Sequence, residues 1–146
     1  MANILYLAQF LSLDNEPGGQ GQRHYQHAKA LAEDGHNVTV ITSGQTTMSI
    51  PGQDFEKSGV KPEWTHPNLT IVKIENPPMG SRSVIFRAVR YFSFSYKALL
   101  AGLRLRFIEQ KDFQYVLGSS PPLLIALVAW ILAELCRAEF LMEVRD

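Results

Sequence analysis

The sequence has few of the features that mark secreted, nucleic-acid-binding or membrane-spanning chains. Its 146 residues include one cysteine, Cys136, so no internal disulfide can form, and a reducing compartment fits this usage. The 14 basic and 14 acidic residues balance, which argues against a nucleic-acid binder. The amino terminus has no basic leader, and the longest apolar run, residues 123–133, is shorter than the roughly 20 residues that cross a membrane. These absences predict a cytoplasmic protein.

Apolar, β-branched segments alternate with segments of helical periodicity along the whole chain. This order predicts one domain, residues 1–146, with an α/β Rossmann-like fold: an open, mostly parallel sheet with helices on both faces. The expected strands are residues 4–8, 37–42, 69–74, 115–118 and 140–144, and the expected helices are residues 22–32, 84–108 and 121–137. Residues 43–67 form a long polar connection that is typical of a functional or disordered loop.

Glycines are concentrated between the first strand and the first helix, in Glu16-Pro17-Gly18-Gly19-Gln20-Gly21. Glycine lets the backbone approach a ligand closely, and the amide groups at a helix start carry partial positive charge. The loop therefore suits a phosphate or an anionic sugar group. The same glycines could serve only a tight turn.

Two alternative sites fit the residues less well. The glycines do not follow the G-x-G-x-x-G dinucleotide pattern, and no acidic residue follows the second strand to bind a ribose hydroxyl. His24 and His27 lie three apart, but no third ligand for zinc is evident. The sequence therefore predicts neither a cofactor nor a metal ion.

The region of the second predicted helix is rich in cations and has no acid before Glu109. Aromatic residues lie among the charges, at positions 91, 92, 94 and 96. The segment could be a solvated amphipathic face, or it could hold the protein at an anionic bilayer. Single-stranded nucleic acid would leave the glycine loop unexplained. The cations are Arg82, Arg87, Arg90, Lys97, Arg104 and Arg106.

Four segments, in this order and spacing, resemble the N-terminal domain of retaining family 4 glycosyltransferases, which have the GT-B fold. They are residues 17–21 (Pro-Gly-Gly-Gln-Gly), 35–42 (Gly-His-Asn-Val-Thr-Val-Ile-Thr), 118–122 (Gly-Ser-Ser-Pro-Pro) and 140–146 (Phe-Leu-Met-Glu-Val-Arg-Asp). The subgroup that the chain resembles most transfers sugars in the synthesis of bacterial cell-surface polysaccharides.

The resemblance implies a mechanism and a set of binding residues. A nucleotide-sugar donor would be bound mainly by a C-terminal domain that this chain lacks, and a saccharide or lipid-linked acceptor would be bound by this one. The chain would be the first half of a longer enzyme, inactive alone, at the inner face of the plasma membrane. Arg145 stands where many relatives have a histidine, which puts a histidine-based role in doubt. The implied residues for diphosphate or substrate are Gly18, Gly19, Gln20, Gly21, Ser119, Ser120, Arg145 and Asp146.

Ser119 and Ser120 also have a purely structural interpretation, since they precede two prolines at a predicted helix start and could cap it. A second hypothesis for the whole chain is a non-catalytic α/β module that binds a phosphate or a nucleotide. The sequence identifies neither the sugar, the nucleotide nor the acceptor.

Overall fold

The computed structural model describes residues 2–8, 19–44, 48–50, 68–75, 84–119 and 124–143. Strands and helices alternate in them as expected. The elements in chain order are β1 (Asn3–Leu7), α1 (Gly19–Glu33), β2 (Asn37–Gly44), β3 (Met48–Ile50), β4 (Leu69–Glu75), α2 (Val84–Leu103), a π-helical segment (Arg104–Ile108), β5 (Tyr115–Ser119), α3 (Leu124–Cys136) and β6 (Glu139–Glu143).

The strands form one sheet in the order β3-β4-β2-β1-β5-β6. All neighbouring pairs are parallel except β3 with β4. The chain adds β2 and β4 on one side of β1 and later adds β5 and β6 on the other side. The direction of winding therefore reverses between β1 and β5. The predicted fold class, an open and mostly parallel α/β sheet, is confirmed.

Each face of the sheet carries a separate core. On one face, Ala28 and Ala32 of α1 pack over alternate residues of β1, β2 and β4, including the fully buried Tyr6. On the other face, α2 and α3 cover the intervening residues, with Phe94 and Leu132 fully buried. Alternation of side chains along each strand produces the two layers. Helices therefore cover both faces, as predicted.

Three local features differ from the sequence-based expectation. The helix α1 begins at Gly19 instead of Gln22, so Gly19, Gln20 and Gly21 belong to its first turn. The long connection contains the short strand β3, which pairs antiparallel with β4. The long helix ends in a π-helical segment, after which Gln110 adopts a left-handed conformation with φ of 55°.

Candidate functional site

The carboxyl edge of the sheet, next to β1 and β5, is where an open α/β sheet offers a ligand-binding crevice. The winding direction reverses between these two strands, and α1 and α3, the helices that follow them, pack on opposite faces of the sheet. Leu7 and Ser119 are the last residues of β1 and β5. The predicted binding segments follow these strands, or β6 beside them.

The start of α1 lies toward this same edge. The helix ends beside the amino edge, where the Ala2 amide donates to Nδ1 of His36 at 3.1 Å. Its 15 residues extend about 22 Å, close to the span of about 26 Å for the 8 residues of β2. The amides of Gly19, Gln20 and Gly21 are among those that an α-helix leaves without an internal acceptor. Because α1 begins at Gly19, the partial positive charge of the helix amino terminus lies at this glycine segment.

Three polar side chains meet near the carboxyl edge on the α1 face of the sheet. We call Tyr6, His27 and Glu143 the rim cluster. The Tyr6 hydroxyl donates to Oε2 of Glu143 at 3.2 Å and lies 3.5 Å from Nδ1 of His27. The His27 and Tyr6 rings meet edge to face, with centroids 5.6 Å apart. The His27 Nδ1 atom lies 3.8 Å from Glu143 Oε2, so a protonated imidazole forms an ion pair there.

Strand alternation and register bring the rim cluster together. Tyr6 is opposite Leu117 of β5, and Ser119 of β5 is opposite Glu143 of β6, so all four residues share one face of the sheet. His27 reaches them from α1, eight residues or about 12 Å after Gly19 along the helix axis. Tyr6 is fully buried, whereas the side chains of His27 and Glu143 are 44% and 27% exposed. The cluster thus has a buried support and a solvent-accessible acid and base.

The rim cluster can bind hydroxyl groups. A carboxylate accepts hydrogen bonds from hydroxyls, and an imidazole nitrogen can donate or accept one. Sequence reasoning considered His27 only as a metal ligand and did not single out Tyr6. The available signal was a phenol within an otherwise apolar strand, since a buried tyrosine hydroxyl usually requires a polar partner.

The structure places only part of the predicted binding set. Ser119 ends β5 and is buried, on the same face as Glu143 and directly opposite it. Gly19, Gln20 and Gly21 form the first turn of α1. The other predicted residues, Gly18, Ser120, Arg145 and Asp146, lie outside the described residues.

Glycine at position 118 brings α3 close to the sheet just before Ser119. A Cβ atom built on Gly118 would lie 2.8 Å from the Cβ of Ala129 and 3.4 Å from the Ile125 carbonyl oxygen. A side chain at this position would therefore push α3 outward. Because Gly118 has no side chain, α3 can pack close to the end of β5.

The predicted basic surface is divided between exposed and buried positions. Arg87 and Arg104 are exposed, and Lys97 is half-buried. Arg90 is buried, so the prediction that it contacts a membrane surface is wrong. The Arg106 guanidinium is half-buried and pairs with the Asp112 carboxylate at 3.2 Å. Arg82 lies outside the described residues.

The solvent-facing side of α2 is more apolar than the sequence pattern suggested. We call Ile85, Val89, Phe92, Tyr96 and Leu100 the α2 stripe. Their exposed fractions range from 48% at Leu100 to 76% at Ile85. Their spacing of three or four residues puts them on one side of the helix.

Neither a metal site nor a membrane-spanning helix is found within the described ranges. No three His, Cys, Asp or Glu side chains among them are grouped closely enough to hold a metal ion. None of their helices combines the length and the apolar content needed to cross a bilayer.

Comparison with known proteins supports the fold without naming a function. No family model and no curated protein matches the chain. Two solved structures of the C-terminal domain of the PF1911 hydrogenase from Pyrococcus furiosus are similar to it, with TM-scores of 0.60 and 0.57 at 14% and 15% identity. Each alignment covers 97% of this chain and 91% of the other. At this identity the likeness establishes a shared α/β fold alone.

Proposed function

We propose that this chain is the acceptor-side half of a retaining glycosyltransferase of the GT-B type. The observation that carries the proposal is the rim cluster, an accessible acid and base supported by a buried tyrosine near the carboxyl edge of the sheet. The resemblance of the glycine segment and of residues 140–146 to family 4 enzymes supplies the reaction. The fold is compatible with it but is shared by many functions.

In the proposed reaction, the rim cluster orients the acceptor. A hydroxyl group of the acceptor donates a hydrogen bond to Glu143, and His27 holds a second hydroxyl. The amides at the start of α1 face the donor diphosphate, where partial positive charge stabilises the leaving group. The resemblance adds Ser119, Ser120, Arg145 and Asp146 to the residues that bind diphosphate or substrate. The leaving phosphate takes the acceptor proton, so the side chains contribute positioning more than basicity.

Acceptor positioning can be tested in the enzyme that joins this chain to its donor-binding domain. We expect Glu143→Gln and His27→Asn to raise the acceptor KM by about tenfold, while the donor KM changes little. The first replaces a charged acceptor by a weaker neutral one, and the second shortens the side chain that holds the hydroxyl. The assay is sugar transfer from nucleotide-sugars to lipid-linked acceptors in a membrane extract. Gln26→Ala, an exposed α1 neighbour of His27, is the matched control. Unchanged acceptor kinetics in both variants would refute the proposed role.

Nucleotide binding separates the enzyme half from the alternative, a non-catalytic phosphate- or nucleotide-binding module. The 146-residue chain is titrated with UDP and GDP and followed by NMR. The proposal predicts weak binding with shifts at Gly19 to Gly21, because most donor contacts belong to the other domain. Tight binding to this chain alone would favour the module.

A second proposal follows from the α2 stripe: that α2 lies on an anionic bilayer, where a lipid-linked acceptor is found. The stripe would enter the boundary between headgroups and acyl chains, while the exposed Arg87 and Arg104 contact lipid phosphates. In this proposal the protein acts at the inner face of the plasma membrane. The apolar contact adds to the electrostatic contact expected from the sequence. It offsets the loss of the Arg90 charge, which is buried and does not reach the lipid.

Vesicle sedimentation tests the bilayer contact. The chain should sediment with phosphatidylglycerol vesicles and much less with phosphatidylcholine vesicles. Phe92→Glu should abolish sedimentation, because it places a charge within the stripe. Gln26→Glu introduces the same charge on α1 and should have little effect. Equal loss in both variants would show a response to net charge and would contradict insertion of the stripe.

A further inference from the structure

The opposite, amino edge of the sheet carries a row of amide side chains on the α2–α3 face. Asn3 and Asn37 are direct neighbours in β1 and β2, and the Asn37 Nδ2 atom donates to Asn3 Oδ1 at 3.1 Å. Asn68 comes next, immediately before Leu69, which is opposite Val38. One step inward, Thr39 and Thr70 are opposite each other on the same face. Five uncharged polar side chains therefore cover three adjacent strands.

Residues 110–113 form the other side of a cavity that this row lines. Gln110, in its left-handed conformation, follows the π-helical segment, and the Lys111 amide donates to the Leu105 carbonyl at 3.0 Å. The Gln114 amide then donates to the Asn3 carbonyl at 2.9 Å. Residues 110–113 are thus held over the strand ends by main-chain bonds at both ends. Because these bonds order the segment without a ligand, binding costs less conformational entropy.

The space between the row of amide side chains and residues 110–113 is large enough for a small molecule. It has a volume of about 440 Å³, within the range of roughly 300–1,000 Å³ for ligand sites. Lys111 and Asp112 also line it, and Asp112 already pairs with Arg106. Arg106 therefore neutralises the Asp112 carboxylate, and Lys111 is the other charged side chain of the lining. We call this space the amide pocket.

We infer that the amide pocket binds a neutral sugar unit. Asparagine offers a donor and an acceptor, and threonine offers both through one hydroxyl, which matches the dual character of sugar hydroxyls. A cationic ligand would meet an Asp112 carboxylate that Arg106 already pairs with, and an anionic ligand would meet only the exposed Lys111. An apolar ligand would desolvate the amides without replacing their hydrogen bonds. The pocket lies at the other end of the strands from the rim cluster. It is therefore a site separate from the proposed acceptor cleft, and it does not depend on the proposed function.

NMR titration of the chain with named sugars tests this site. The probes are glucose, galactose, N-acetylglucosamine and maltose at millimolar concentrations. At least one should shift the side-chain amide signals of Asn37 and the backbone signals of residues 111–113. Asn37→Ala should weaken binding by about tenfold, as expected for one hydrogen-bonding side chain. Thr70→Val keeps the shape of the side chain and should weaken it similarly.

The controls distinguish binding in the amide pocket from binding elsewhere on the chain. Gln26→Ala on α1 should bind like the unchanged chain. Thr70→Val gives an independent result if Asn37→Ala fails to fold. No shifts with any of the four sugars, or shifts that both variants retain, would overturn the inference. Shifts confined to Leu7 and Ser119 would also overturn it, while supporting sugar binding at the carboxyl edge.

Discussion

Substitution of Gly118 by alanine tests how closely α3 approaches the sheet. The new Cβ would lie 2.8 Å from the Cβ of Ala129 and 3.4 Å from the Ile125 carbonyl oxygen. Ordinary carbon–carbon contact is about 3.5–4.0 Å, so the helix must move by about 1 Å. Neither obstacle can rotate away, since one is a methyl group fixed to the helix and the other is backbone.

The expected loss of stability follows from this geometry. Overpacking a close-packed core costs about 1–3 kcal/mol. Replacing glycine also lowers the entropy of the unfolded chain, which stabilises the fold by about 0.4–1 kcal/mol where the backbone conformation is compatible. Gly118 does not have a positive φ, so no further backbone penalty applies. We therefore expect Gly118→Ala to lower the free energy of unfolding by about 1–2 kcal/mol.

Urea denaturation of single and double variants measures this effect. Ala129→Gly removes the opposing methyl group and costs about 1 kcal/mol in helix propensity. If the contact is responsible, the double variant should be more stable than the sum of the single effects predicts, by about 1 kcal/mol or more. Additive effects, or a neutral Gly118→Ala, would refute the proposed contact.

Three further outcomes concern single side chains. Tyr6→Phe removes the hydroxyl that donates to Glu143 and should lower the free energy of unfolding by about 1–2 kcal/mol, an effect that an unchanged urea midpoint would contradict. Leu132→Ala should cost about 2–5 kcal/mol in the same assay, because Leu132 is fully buried between α2 and the sheet. Burial raises the pKa of the Cys136 thiol, so at pH 8 iodoacetamide should label the native chain more slowly than the chain in urea; equal rates would contradict this.

Much of the fold could be predicted from local patterns. The β-branched run at residues 37–42 and the apolar run at 115–118 were recognised as strands because strand character is encoded within a few residues. The strand β3 was missed because three residues carry little local signal and its pairing with β4 defines it. The start of α1 was placed three residues late, since glycine has low helix propensity and its presence favours a loop prediction.

The rim cluster shows why the site was harder to predict than the fold. The hydrogen bond from Tyr6 to Glu143 joins residues that are 137 positions apart. No short motif contains both, and their proximity depends on the strand order and on the register of β5 with β6. The topology rule puts the end of β6 at the carboxyl edge of the sheet, but it does not specify the partners of Glu143.

The sequence by itself determined the alternation of strands and helices, the glycines at the first helix and the balance of charge, because these depend on neighbours along the chain. The tertiary structure decided that Arg90 is buried, that α2 exposes an apolar stripe and that three asparagines form one row. Those outcomes depend on which strands pair, in which register, and on which side each helix packs. Such contacts join residues that are far apart along the chain, so no local pattern specifies them.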